Sequence, residues 1–201
     1  MKVDIFMTED TNNIDENNLY LWGGDFVQGD PKNCVAVALL NTEYTPSESI
    51  ALYGSLKTEN IGIEKIVANI ISNPFIRYLI LCGDDIRGHR SGKSLIALHK
   101  NGIDENHRII NAPGAIPYIE NIGEDSINRF QKQIEIIDLL YEKDHTIIDK
   151  VVNEYSNKNP GSFGKPFIAI RLQPQQTKSI DDKRALHSKI IISYMGKIKV
   201  R

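Results

Sequence analysis

The sequence predicts an α/β protein: a mainly parallel sheet with helices on both faces, followed by a β-rich C-terminal extension. Three observations lead there. Apolar runs of strand length recur through the middle of the chain. Each is followed by a stretch with apolar residues at helical spacing, and turns rich in glycine, proline and small polar residues separate the units.

Taken in order, Cys34 to Leu40 (CVAVALL) is a continuous apolar run, as expected of a strand covered on both faces. A turn-rich stretch with Pro46 and Gly54 follows. Thr58 then offers an N-cap and Glu59 a favourable first-turn charge for a helix carrying Ile63, Ile66, Val67, Ile70 and Ile71, which Asn73-Pro74 ends. Ile76 to Cys82 is the next buried strand, and Ser91 can cap a helix that carries Leu95 and Leu98 and closes at Gly102. Arg108 to Asn111 reads as a short strand, and Glu124 to about Gln131 as a helix. Gln133 to Leu140 could extend that helix. Its isoleucine content and the N-cap at Asp144 favour a fourth strand, with a helix faced by Ile147, Ile148, Val151, Val152 and Tyr155. Residues 156 to 166 form a loop, and Phe167 to Gln173 and Lys189 to Met195 read as strands of the extension.

Four strand-helix units imply a Rossmann-like sheet with right-handed crossovers. Residues 1 to 160 form the α/β domain, and 161 to 201 are expected to pack on it. In such sheets ligands bind beyond the carboxyl ends of the strands. That rule selects three loops, Tyr53 to Asn60, Gly83 to Ser91 and Ala112 to Pro117.

Composition excludes several classes. Twenty-six acidic and 24 basic residues leave a net charge of −2, unlike a nucleic-acid surface or basic membrane patch. Cys34 and Cys82 form no CxxC pair and lie in apolar strands, as free buried thiols of a reducing cytoplasm do. The N-terminus turns acidic at once and has no sustained apolar region, so no signal peptide is expected. No apolar run reaches the roughly 18 to 20 residues that span a bilayer, so a soluble protein is expected.

The stretch LILCGDDIRGHRSGKSLIAL, residues 79 to 98, holds the chemistry. Gly92-Lys93-Ser94 suggests a phosphate loop, but that loop needs a glycine five positions before Gly92, where Arg87 stands. Gly83, Gly88 and Gly92 do not make a GxGxxG either. Anion binding through Lys93 and the helix start stays open as an alternative, as does a scaffold without a cofactor. His89, flanked by Gly88 and Gly92, is the other candidate. His99, His107, His145 and His187 sit among polar residues with no ligand set around them, no grouping has zinc-site spacing, and no GxSxG elbow exists.

The segment GSLKTENIGIEKIVANIISNPFIRYLILCGDDIRGHRSGKSLIALHKNGID, followed by RIINAPGAIPYIENI, resembles the A subunit of tetrahydromethanopterin S-methyltransferase, an archaeal methanogenesis protein. The resemblance covers about residues 34 to 155. It implies a cobamide (cobalamin-type) cofactor whose cobalt takes a methyl group from methyl-tetrahydromethanopterin and passes it towards coenzyme M. It implies His89 as lower axial cobalt ligand, within a cofactor site drawn from Leu56, Thr58, Glu59, Asn60, Gly88, His89, Gly92, Ser94, Gly114, Ala115, Ile116 and Pro117. Family members of the membrane complex carry a C-terminal transmembrane helix. This chain resembles a soluble homologue, expected to act as a cytoplasmic methyl carrier between donor and acceptor partners rather than as a complete enzyme. The acid of the general Asp-x-His-x-x-Gly motif is replaced by Arg87, which leaves the partner of the histidine open, with Asp84 and Asp85 nearby.

Overall fold

The computed structural model describes residues 19 to 172 in full and, beyond them, the backbone of two short strands. In chain order the elements are β1 (Phe26–Gln28), β2 (Val35–Leu40), β3 (Leu52–Ser55), α1 (Ile61–Ser72), β4 (Tyr78–Gly83), α2 (Ser91–Asn101), α3 (Glu124–Gln133), β5 (Glu135–Leu140) and α4 (His145–Lys158), then β6 (Ile190–Ile192) and β7 (Ile198–Val200). Five strands form one sheet in the order β1-β3-β2-β4-β5. All neighbours pair parallel except β1, which runs antiparallel along β3.

Alternation along the central strands builds two cores. Ala36, Ala38 and Leu40 of β2 and Leu79 and Leu81 of β4 face one side, where they meet Ile63, Val67, Ile70 and Ile71 of α1, Leu95 and Leu98 of α2 and Phe130 of α3. Val35, Val37 and Leu39, with Ile80 and Cys82, face the other side, against Ile148 and Val152 of α4. Each fully buried aliphatic side chain contributes about 1.5–3 kcal/mol, so α1, with four on one stripe, is firmly fixed. Both cysteines are free and buried, and burial pushes the Cys82 thiol up to about 12.

The sheet departs from the sequence reading in three strands: β1 and β3 belong to it without reading as strands in the sequence, and one expected strand does not. Arg108 to Asn111 does not join it: Ile109 bridges to Ile103 and Arg108 to Tyr118, so this segment folds onto its own flanks. The fourth parallel strand is Leu52–Ser55, in what reads as turn-rich sequence. Its Gly54 could not be larger, since a Cβ there would run into the Asp25 carbonyl and the Phe26 backbone of β1. Similarly, Gln133 closes α3 instead of opening β5. Residues 167 to 172 pair with no strand among the described residues and are tied by Phe167 N–H to the Ile71 carbonyl (3.1 Å) and Leu172 N–H to the Asn121 carbonyl (2.9 Å). Of the expected strand at Lys189 to Met195, Ile190–Ile192 pairs antiparallel with Ile198–Val200; the rest of the expected extension, and His187, lie outside the described residues. Among the described residues no helix is long and apolar enough to cross a membrane.

Candidate functional site

The loops leaving β3, β4 and the 112–117 segment converge beyond the carboxyl ends of the parallel strands. Gly83 makes the turn out of β4, with φ of +91° and the Leu40 carbonyl standing where a Cβ would need room. Asp84 then pairs with Lys143 across the sheet end. Asp85, buried, accepts the N–H of Gly92 at 2.9 Å and of Lys93 at 3.0 Å through its two carboxylate oxygens. The expected cap at Ser91 is therefore replaced: Arg90, in the left-handed region at φ 43°, stands at the cap position without a side-chain bond, and Asp85 reaches across the loop to hold the helix start. An internal carboxylate already takes the donors that an anion would need. Lys93 meanwhile lies over the Tyr141 ring at 5.4 Å.

On the neighbouring loop, Asn60 caps α1 through Ile61 N–H (2.8 Å), and Thr58, the expected cap, instead accepts from Gly62 N–H (2.9 Å). Glu59 precedes the helix rather than decorating its first turn. Its side chain is 3% exposed and bridges two loops: one oxygen accepts the Ile116 N–H at 3.0 Å, the other meets His89 Nδ1 at 2.8 Å. Burial pushes the Glu59 carboxyl up, but the N–H groups of Ile116 and of Glu59 itself, with the His89 ring, outweigh it and hold it below its ordinary 4.5. An ionised carboxylate only accepts, so Nδ1 carries the hydrogen, and in the neutral ring the lone pair is then on Nε2. Nε2 has no partner among the described residues, and the His89 side chain is 59% exposed.

The third loop is locked to the other two. Gly114 N–H donates to the Ser94 hydroxyl (3.2 Å), and Ala115 N–H to the Gly88 carbonyl (3.2 Å). A Cβ on Gly114 would meet the His89 carbonyl at 2.6 Å and both Glu59 Cγ and Ser94 Oγ at 2.8 Å, so only glycine allows this approach.

The structure thus brings all twelve sequence-selected residues into one region and divides them by burial. Leu56, Glu59, Gly92, Ser94, Gly114 and Pro117 are buried and supporting; Gly88, His89, Ala115 and Ile116 are exposed, with Thr58 and Asn60 between. Beside them a cleft of about 170 Å³ runs between Leu39, Asn41, Thr42, Ser55, Asp84 and Ile86 with His89 on its wall. Ile86, which lines this cleft with His89, and Ile116 of the third loop are exposed apolar side chains. Neither Asp84 nor Asp85, the acids near His89 in sequence, bonds its ring; the partner is Glu59, 30 residues away. Its only sequence signal is an acid at a helix start after a strand, and the strand itself is illegible. Two other described histidines have structural roles: His99 Nε2 bonds the Ile134 carbonyl and His145 Nε2 the Glu43 carbonyl.

Among the described residues no three ligating side chains cluster as a cage for a bare ion. A lone, oriented imidazole fits a metal whose other ligands come with it, as in a macrocycle.

Comparison with known proteins bears on the family of the chain. The family model for the A subunit of tetrahydromethanopterin S-methyltransferase (MtrA) matches residues 3–180. Form 1 of that subunit from Methanothermobacter thermautotrophicus is 49% identical over 154 residues, 75% of this chain and 65% of the relative. Form 2 from Methanobrevibacter ruminantium is 44% identical over 157 residues, 76% of this chain and 81% of the relative. The A subunit from Methanohalophilus mahii is 38% identical over 175 residues, 84% and 72% of the two chains. Against the first of these, the match spans just under two thirds (65%) of the relative's length. With a family model matched over residues 3–180 and identities up to 49% among these relatives, the chain belongs to the family of tetrahydromethanopterin S-methyltransferase A subunits.

Proposed function

We propose that this chain is a corrinoid-binding methyl carrier of a methyltransferase acting between methyl-tetrahydromethanopterin and coenzyme M, with His89 as the lower axial ligand of cobalt. One observation carries the reading: the Glu59–His89 pair. Its carboxylate is dry, its imidazole is exposed, and Nε2 meets no partner among the described residues.

The bound corrinoid would supply a cobalt centre able to take up and hand on a methyl group. The chain's own residues do the holding. Glu59 fixes the tautomer and the ring's orientation. Gly88, Ala115 and the exposed Ile116 offer low, partly apolar relief next to the ring, where a flat ligand can lie close. Asp85 and Gly114 keep the loops in register beneath it. The methyl donor and acceptor come to this chain from its family and are part of the proposal.

The test is reconstitution of the full chain with cobalamin and spin resonance of the cobalt(II) form. Nitrogen splitting from an axial imidazole is expected, changing from a triplet to a doublet pattern when histidine is labelled with nitrogen-15. In His89→Ala the protein signal should vanish while circular dichroism stays that of the folded chain. An axial-nitrogen signal unaltered by both labelling and substitution refutes the assignment. Absence of any cobalamin binding points to a cofactor-free scaffold instead.

A further inference from the structure

A second cleft, of about 220 Å³, lies on the other side of the β3 end, between α1 and the β1 edge of the sheet. It shares Ser55 and Lys57 with the cleft at His89 but opens on a different wall. Its floor is made of residues too small to fill it. Ala36 and Ala38 of β2 stand in register beside Leu79 and Leu81 of β4, so the sheet is stepped down under α1. Ile66 and Ile70 form the helix wall. An engineered apolar cavity of roughly 150 Å³ accepts benzene. This one therefore has room for a six-membered ring and a substituent.

Most polar groups around it are already engaged. Asn69 accepts Trp22 N–H (3.0 Å) and donates to the Gly23 carbonyl (3.1 Å). Thr58 accepts from Gly62, and Asp25 is paired with Lys57 at 2.8 Å. Lys65 alone lines the cleft with a charge that no ion pair among the described residues takes up. An apolar slot with one uncommitted ammonium at its side is complementary to a flat ring bearing a single negative group.

We propose that this cleft binds a small cyclic monoanion, a ring carboxylate or sulfonate, with the ring over Ala36 and Ala38 and the anion at Lys65. The proposal does not depend on His89 or on a corrinoid. Its test uses neither, so the two readings fail separately.

The full chain, labelled with nitrogen-15, is titrated with benzenesulfonate, benzyl alcohol and benzylammonium. Saturable shifts are expected at the amides of Gly23, Gly24 and Gly62, strongest for benzenesulfonate. Lys65→Glu should weaken benzenesulfonate about tenfold, the scale of one charged hydrogen bond, and make benzylammonium the preferred probe. Ala38→Leu, growing from the floor, should abolish binding of all three; Ile66→Phe tests the same point from the helix wall should the first variant not fold. A wild-type chain without saturable shifts at these amides overturns the proposal. So does benzenesulfonate binding indifferent to charge at position 65 or to filling of the cleft.

Discussion

Replacing Glu59 by glutamine isolates what the buried carboxylate does for His89. The isostere keeps an oxygen for the Ile116 N–H, so the 112–117 loop stays docked. It removes the charge opposite Nδ1, where the present contact is 2.8 Å with the carboxylate 3% exposed. A hydrogen bond to a charged group is worth about 1.5–3 kcal/mol, most when dry. Loss of an outer partner of a metal-binding histidine costs about 10–100-fold in affinity, which is about 1.4–2.8 kcal/mol, so the two routes agree. Cobalamin affinity should fall about 10–100-fold in Glu59→Gln, read by titration at the visible absorption bands. Glu59→Ala should also leave the part-buried Ile116 N–H without its carboxylate partner, at up to about 1–3 kcal/mol, lowering Tm by about 2–12 °C at most. The acid dependence has a definite sign. The carboxyl is held below its ordinary 4.5 in the folded chain, so its stabilisation is complete above that value and fades as pH falls through the lower, folded one. The stability gap between wild type and Glu59→Ala should therefore be flat at neutral pH and narrow below about 4.5. Wild-type cobalamin affinity in Glu59→Gln, with an unchanged axial-nitrogen signal, refutes the reasoning.

Three further outcomes are expected. Gly114→Ala places a methyl 2.6 Å from the His89 carbonyl; urea unfolding should register a loss of about 1–3 kcal/mol, together with weaker cobalamin binding. Asp85→Ala frees the N–H groups of Gly92 and Lys93; it should cost about 0.5–2 kcal/mol and speed hydrogen exchange at the first turn of α2 specifically. ATP and GTP should give no micromolar, magnesium-dependent heat in calorimetry, because Asp85 fills the would-be anion site; such binding, abolished by Lys93→Ala, would restore the phosphate reading.

The parts of the fold legible in the sequence are those whose burial is symmetrical. Val35–Leu40 and Tyr78–Gly83 are covered on both faces, so their apolar runs are continuous and their boundaries came out within two residues. α4 announces itself through Asp144, which does cap it, bonding Thr146 N–H at 2.8 Å. Leu52–Ser55 is illegible because only Leu52 of its four residues is buried, and Gly54 answers to β1 passing over it, a long-range demand with no local trace. Arg108 to Asn111 misleads for the converse reason: its apolar pair satisfies a local turn rather than a sheet, with His107 and Asn111 both at φ 61°. The site divides in the same way. His89 is visible because glycines flank it, whereas its partner is not, since the topology alone places the residue after β3 beside the loop after β4.

That division has a physical reason. On the proposed reading His89 must remain reachable, and its side chain is 59% exposed. An exposed imidazole bonded to an exposed acid would be worth little, since water competes for both and the pair has many arrangements. Taking the acid from a neighbouring strand end lets it sit under the loop, dry, with its second oxygen fixed by a backbone N–H. An acid two residues before the histidine, on the same exposed loop, has no such cover; that position is Arg87, and it lies open to solvent. The local motif has been replaced by a tertiary one, in which the imidazole's freedom and its orientation are set by different elements of the fold. This makes Gly114 as necessary as Glu59, because the N–H that holds the carboxylate belongs to a loop that can approach only where there is no Cβ.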